Sequence, residues 1–221
     1  MEIVISDADM PPVLNSGILT FREFIMNEPL PLTAIHEAIF EFLHAKEDVA
    51  VFGAHAVNAY VSEPRMTQDI DLISLRAETL SQELRDYLST RFRIAVRVRE
   101  VSSGKGFRLY QIQKSGNRHL ADVRNVGKLP ETRCIRQIQV IAPADLIAGK
   151  VISCLQRRGK PKSGTDWRDV AMLLLTFPEL KCDPGPVTEK LQAAGAELDV
   201  LNFWRELANR NIQADDEDDD F

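Results

Sequence analysis

Two aspartates one residue apart, in Arg65-Met66-Thr67-Gln68-Asp69-Ile70-Asp71-Leu72, are the residues in this sequence best suited to chemistry. On a strand, alternate side chains share a face, so Asp69 and Asp71 point one way while Ile70 and Leu72 face a core. Side by side, two carboxylates repel and raise each other's pKa unless a cation lies between them. Mg2+ suits that role, because it favours oxygen ligands and completes its shell with water and substrate phosphates. Such pairs are common on surface strands, and the residues ahead of this one give it weight. Val49-Ala50-Val51-Phe52 has the length and branching of a buried strand, and Gly53 stops it. A strand that ends in glycine and feeds a helix offers backbone N–H groups to phosphate. Ala54 and Ala56 are small enough to let a triphosphate approach, and Thr67 adds a hydroxyl on the face of Asp69. Phosphates and a divalent ion held together are what phosphoryl or nucleotidyl transfer needs.

The elements that must position these residues follow from periodicity. Ile35, Ile39, Phe40 and Leu43 recur at helical spacing over residues 32–46, with Thr33 as the cap. A small-residue helix is expected over 54–60, a strand through Asp69-Ile70-Asp71, and an amphipathic helix over 77–90 carrying Leu80, Leu84 and Leu88. Strand character then recurs at 92–101, 107–114, 120–126 and 135–141, broken at Ser102-Ser103-Gly104 and Ser115-Gly116-Asn117. After Pro143 the pattern is helical: 144–158, 166–177, 187–194 and 198–211, with 160–165 as a loop. The fold class expected is α/β (α+β), a mixed sheet with flanking helices followed by a C-terminal helical bundle. The divisions are 1–142 for the α/β domain, 143–213 for the helical domain and 214–221 for an acidic tail.

Composition supports a folded, cytoplasmic protein. At 44% hydrophobic and 27% charged residues, disorder is not the default for the body. The formal net charge of −6 is matched by the six acids of Asp215-Asp216-Glu217-Asp218-Asp219-Asp220, so the acidity says nothing about the body's partners. Cys134, Cys154 and Cys182 form no C-x-x-C pair, which fits a reducing compartment and argues against disulfides and a zinc cluster. The start of the chain lacks the basic and apolar regions of a signal peptide, and no apolar run is long enough for a membrane.

Gly53-Ala54, the spacing to Asp69-Ile70-Asp71, and Arg65-x-Thr67-x-Asp69-Ile70-Asp71-Leu72 together resemble the nucleotidyltransferase superfamily. The branch most similar contains the AbiEii-like toxins of type IV toxin–antitoxin systems, and the resemblance runs over about residues 49–175. It implies a nucleotidyltransferase-like fold, an NTP substrate, Mg2+ (or Mn2+) and a third acid on a later strand, here Asp122 in His119-Leu120-Ala121-Asp122-Val123. In the helical half it implies a lysine, an arginine and a D-x-x-D motif, matched by Lys150, Arg157 and Asp166-Trp167-Arg168-Asp169. Asp69, Asp71 and Asp122 would hold metal, and Asp122 would orient or deprotonate the attacking hydroxyl. Lys150 would neutralise charge on the leaving pyrophosphate, Arg157 would share its helix face, and Asp166 would hold both cations in position. The branch suggests RNA, such as a tRNA 3′ end, as acceptor, and a cognate antitoxin as partner. A small hydroxylated acceptor is the alternative. So is a non-catalytic nucleotide-binding module, favoured by the departures Ala54 (for a second glycine or serine) and Thr165 (for a basic residue).

Blander roles compete at several positions. Asp166 follows Gly164-Thr165 and reads first as the N-cap of a helix starting at Trp167. Lys150 reads equally as a solvated helix lysine, and Asp122 would read as an ordinary exposed sheet aspartate without the Asp69-Ile70-Asp71 pair, which favours the site. His55 reads as packing or capping rather than a ligand, and Met66 and Trp204 as core. The basic run Arg157-Arg158-Gly159-Lys160-Pro161-Lys162 suits a phosphate backbone, although such loops are usually just solvated.

Overall fold

The computed structural model describes residues 30–101, 104–114 and 116–213. The first 29 residues, the acidic tail from 214, and the turn residues Ser102, Ser103 and Ser115 lie outside the described residues. One mixed sheet organises the rest. Its strands are β1 (Val49–Phe52), β2 (Ile70–Ser74), β3 (Val96–Val101), β4 (Gly106–Gln111), β5 (Arg118–Asn125), β6 (Thr132–Ile135) and β7 (Ile138–Ile141). They run in the order β3-β4-β5-β2-β1-β7-β6. β2 lies at the centre, antiparallel to β1 and parallel to β5. Its apolar side chains Ile70 and Leu72 are completely buried, as strand alternation requires.

Helix α1 (Leu32–Leu43) buries Ile35, Ala38, Ile39 and Leu43, and α3 (Ala77–Phe92) buries Leu80, Leu84 and Leu88. α3 packs on β3 and β4, which leaves the opposite face of those strands to the exposed Arg97, Arg99 and Arg108. The short α2 (Gly53–Asn58) joins β1 to the segment before β2. α4 (Pro143–Gln156), α5 (Pro161–Thr176), α6 (Pro186–Ala193) and α7 (Leu198–Asn209) follow the sheet. α4 packs against α5, α6 and α7, and α2 touches both α4 and α5. Trp204 is fully buried in α7, and its indole N–H donates to Thr188 Oγ1 at 3.1 Å. That satisfies the one polar atom of a large core side chain.

Several local expectations change. Thr33 is not a cap, because α1 starts at Leu32 behind Pro31 with no side-chain cap. The stretch expected as strand from Phe92 is still helix there, and β3 starts only at Val96. Residues 135–141 form the second half of a β6–β7 hairpin, turned by Arg136 and Gln137, which both take positive φ without glycine. The 160–165 loop is instead the first turn of α5, because Pro161 occupies the first helical position, where its missing N–H costs nothing. Met66 is 60% exposed rather than core. The three cysteines are free thiols. No helix among the described residues is long and apolar enough to cross a membrane.

Candidate active site

The site starts at the end of β1. Gly53 has φ +68, a region an L side chain occupies only under strain. It also packs directly on Asp71: a Cβ at Gly53 would overlap the carboxylate, lying 2.8 Å from its Cγ and 2.9 Å from its Cβ. Glycine is therefore needed here for the close approach of an acid as much as for the turn itself.

Asp71 lies on β2, and the parallel pairing of β2 with β5 sets it directly beside Asp122. Asp69 sits one residue ahead of β2. Thr67 also precedes the strand rather than sharing its face, and its hydroxyl donates to the Asp69 carbonyl at 3.3 Å. Asp69, Asp71, Asp122, Gly53, Ala54, Thr67, Lys150, Arg157 and Asp166 all line one cavity of about 610 Å³.

The electrostatics divide the three acids. Burial, then the charges of Asp69 and Asp122, push Asp71 up to about 6. Asp69 is held below the ordinary carboxylate range, first by a hydrogen bond from His119. Asp122 is pushed up by burial, but His119 and Arg108 outweigh this and leave it low. His119 bridges the pair: Nδ1 lies 3.2 Å from Asp69 Oδ2 and Nε2 lies 3.2 Å from Asp122 Oδ1. Hydrogen bonds to Asp122 and Asp69 raise its pKa to about 10, so it is a cation at neutral pH.

Spacing concealed His119. Three residues before Asp122 on a regular strand, it would face the other side. A β-bulge intervenes: Leu109 pairs with Ala121 while the next residue, Tyr110, pairs with His119. Leu120 is the extra residue, and Leu120 and Ala121 are both completely buried. The bulge turns His119 back to the face of Asp122.

Across the cavity stands a wall of ion pairs from α4 and α5. Lys150 Nζ lies 2.6 Å from Asp169 Oδ2 and 3.4 Å from Asp166 Oδ1, and Arg157 Nη1 lies 2.7 Å from Asp166 Oδ2. Asp166 is not an N-cap. With the helix starting at Pro161 it lies inside α5, 3% exposed, and holds both cations. Asp169, to which no role was assigned, is completely buried and takes a two-pronged bond from Arg65: Nε to Oδ1 at 2.7 Å and Nη2 to Oδ2 at 2.8 Å. Burial raises the Asp169 pKa, but the Arg65 bonds and Lys150 outweigh it and leave it low. The i, i+3 spacing of the two acids on one helix face was the available signal. The Arg65 backbone is clamped in turn by the Asn58 amide, which donates to Arg65 O at 2.7 Å and accepts from Arg65 N at 3.0 Å.

His55 packs edge-on against His36 and Phe40, and burial, then the charge of His36, lowers its pKa to about 4. It is a packing residue, as expected.

The donor set fits a hard divalent cation. Asp69, Asp71 and Asp122 supply carboxylate oxygens, and Asp71, raised first by burial and then by the charge of Asp69, is a carboxylate that a bound cation would stabilise in its charged form. Asp69, His119 and Asp122 also bring potential ligand atoms within 4.8 Å of one another, His119 only once its imidazole has given up its proton.

A family model described as "Nucleotidyl transferase AbiEii toxin, Type IV TA system" matches residues 38–200. No curated protein matches the chain by sequence. Among solved structures, the Megavirus polyadenylate synthase is similar at a TM-score of 0.55 and 16% identity. The match covers 69% of this chain and 32% of the viral enzyme, so the chain spans about a third of that protein. JHP933 from Helicobacter pylori is similar at a TM-score of 0.50 and 13% identity, over 84% of this chain and 89% of that one. At these identities the structures show a shared fold. The sequence match begins within α1 and ends within α7, and on that extent the chain belongs to the AbiEii nucleotidyltransferase toxin family.

Proposed function

We propose that the chain transfers a nucleoside monophosphate from an NTP to a hydroxyl acceptor. The observation that carries this reading is the register of Asp71 beside Asp122, with Gly53 packed against Asp71 and Lys150 lining the same cavity. Asp69, Asp71 and Asp122 would hold Mg2+ or Mn2+. A bound divalent ion at these carboxylates would withdraw charge from phosphate oxygens and lower the pKa of the attacking hydroxyl.

The remaining work falls to the chain's own groups. Asp122 orients the attacking hydroxyl and takes its proton. The acceptor oxygen forms a bond to the α-phosphorus, the bond to the bridging oxygen breaks, and pyrophosphate leaves. Lys150 and Arg157 meet the charge that develops on it. Asp166 and Asp169 keep those cations aimed, and Asp169 fixes Arg65 ahead of the acids. The catalytic acids sit in the 1–142 unit and the phosphate-facing cations in the 143–213 unit, so the cleft between them is the NTP site. A cytoplasmic RNA, such as a tRNA 3′ end, is the acceptor, and a cognate antitoxin is the partner that restrains it.

Incubation of the protein with Mg2+ or Mn2+, labelled NTPs and total RNA tests this. Label should enter RNA with release of pyrophosphate, and Asp71→Asn should abolish it. Label confined to small molecules would move the acceptor to that class. A protein that neither binds nor turns over any NTP, and whose Asp71→Asn form behaves identically in cells, would end the reading.

A further inference from the structure

The sheet carries a row of charged side chains that extends well beyond the cavity. Pairing sets Asp71 beside Asp122, Asp122 beside Arg108, and Arg108 beside Arg99. These four residues lie on neighbouring strands, β2, β5, β4 and β3, and cross-strand partners share a face. A second row runs parallel to the first: His119 beside Tyr110, and Tyr110 beside Arg97. Arg97, Arg99 and Arg108 are exposed. Arg108 is tied to Asp122, its Nε donating to Oδ1 at 2.9 Å. Arg97 and Arg99 have no carboxylate partner among the described residues, and they stand on the edge strand. Tyr110 stacks on His119 with ring centres 5.0 Å apart.

Distance decides what could use this face. β3 lies two strands from β5, roughly 10 Å at the usual strand spacing. On the transferase reading, an NTP held between Gly53 and Lys150 would have its phosphates toward α4, on the side of the acids away from β3. A stacked single strand advances about 3.4 Å per nucleotide, so about three nucleotides reach from Asp122 to β3. A cationic small molecule would be drawn to the acids but would meet like charges at Arg108, Arg99 and Arg97, so the outer half of the face offers it nothing.

We propose that this face is the track of a single-stranded nucleic-acid acceptor, with its terminal hydroxyl at Asp122 and its preceding phosphates on Arg108, Arg99 and Arg97. Tyr110 and the arginine planes offer the stacking surface that unpaired bases use. The track rests on the transferase reading, names the acceptor's path within it, and places nucleic-acid contact on the sheet rather than on the 157–162 run. Arg108 both neutralises Asp122 and receives the last phosphate, so the acceptor's end and the acid that would take its proton are held by one side chain.

The test is the double variant Arg97→Ala/Arg99→Ala, with Lys128→Ala/Arg133→Ala as a control of equal charge change outside the track. Fluorescence anisotropy with a labelled single-stranded 12-nucleotide RNA, and separately a DNA of the same length, is read from 50 to 300 mM salt. Loss of two phosphate contacts lowers the slope of log affinity against log salt by about 1.4, which is about 25-fold at 0.1 M salt. Calorimetric titration with Mg-NTPs should be unchanged in the variant, and circular dichroism should show the wild-type fold.

Binding of either oligonucleotide that depends on Arg97 and Arg99 supports the track. Equal affinity of variant and wild type, an equal loss in the control, or no oligonucleotide binding by the wild type at 50 mM salt overturns it. Anionic-lipid vesicles held by Arg97 and Arg99 in the absence of oligonucleotide binding would likewise overturn it, in favour of a membrane surface. The two readings fail separately. Transfer to RNA at wild-type rate by the double variant removes the track and keeps the transferase. Arginine-dependent oligonucleotide binding without NTP turnover keeps the track and removes the transferase.

Discussion

Replacing Asp71 by asparagine should stabilise the metal-free protein while destroying its chemistry. Burial, with Asp69 and Asp122 alongside, raises the folded-state pKa of Asp71 to about 6, against 3.8 ordinarily. Between those values the native state holds a proton that the unfolded chain has released. The contribution of this group is therefore fully present below about pH 4 and is lost as pH rises through 6. Two pKa units correspond to about 3 kcal/mol, an upper figure because solvent reaches part of the cavity. Asparagine keeps the shape and removes the charge. In EDTA at pH 8, urea unfolding followed by far-ultraviolet circular dichroism should show Asp71→Asn more stable by up to about 3 kcal/mol. At pH 4 the two proteins should coincide. Saturating Mg2+ or Mn2+ should restore the wild type toward the variant and leave the variant unmoved. His119 titrates in a separate window: its raised pKa adds stability that is present below 6.5 and lost as pH rises toward 10, in both proteins alike. A variant less stable than wild type at pH 8, or a gap of equal size at pH 4 and pH 8, would refute the argument.

Three further outcomes follow from the geometry. Gly53→Ala should lose at least about 1–2 kcal/mol from its left-handed φ alone. It should also weaken Mn2+ binding, because its Cβ displaces Asp71; unchanged thermal unfolding and Mn2+ titration would contradict the close packing. Asp169→Ala leaves Arg65 and Lys150 without their buried partner and should cost about 3–5 kcal/mol in denaturant unfolding. Asp169→Asn, which retains a hydrogen-bonding oxygen, should lose less. Lys150→Met should lower kcat on the order of 100-fold with the fold intact by circular dichroism, and a normal kcat would exclude Lys150 from contact with the leaving group.

What was legible in the sequence is what short-range rules encode. Strand alternation exposes Asp69-Ile70-Asp71, a glycine after four buried-strand residues marks the turn, and the apolar spacing of α1 and α3 gives their buried faces. The resemblance carried Asp122, Lys150, Arg157 and Asp166 to positions that the fold gathers around one cavity. The missing pieces depend on partners far away in the chain. Arg65 and Asp169 are separated by 104 positions, and nothing near either residue announces the other. His119 reaches Asp69 and Asp122 through a bulge, a departure from the alternation used to read the strand. The β6–β7 hairpin turns on Arg136-Gln137, without the glycine or asparagine that would mark such a turn. Pro161 reads equally as loop punctuation or as a helix start, and only the packing of α5 on α4 decides between them.

The Asn58 clamp on Arg65 divides the connection between α2 and β2 into two stretches under opposite constraints. Before the clamp, Ser62 and Glu63 are exposed, and extra loop length there adds only a slowly growing closure entropy. After it, the chain must deliver Asp69 and Asp71 from a fixed anchor to a fixed strand register. A residue gained or lost between Arg65 and Asp69 must be taken up within residues 66–68, because a one-residue slip of β2 itself would turn its buried side chains to the opposite face. Insertions engineered as tags should therefore be tolerated better on the α2 side of Arg65 than between Arg65 and Asp69.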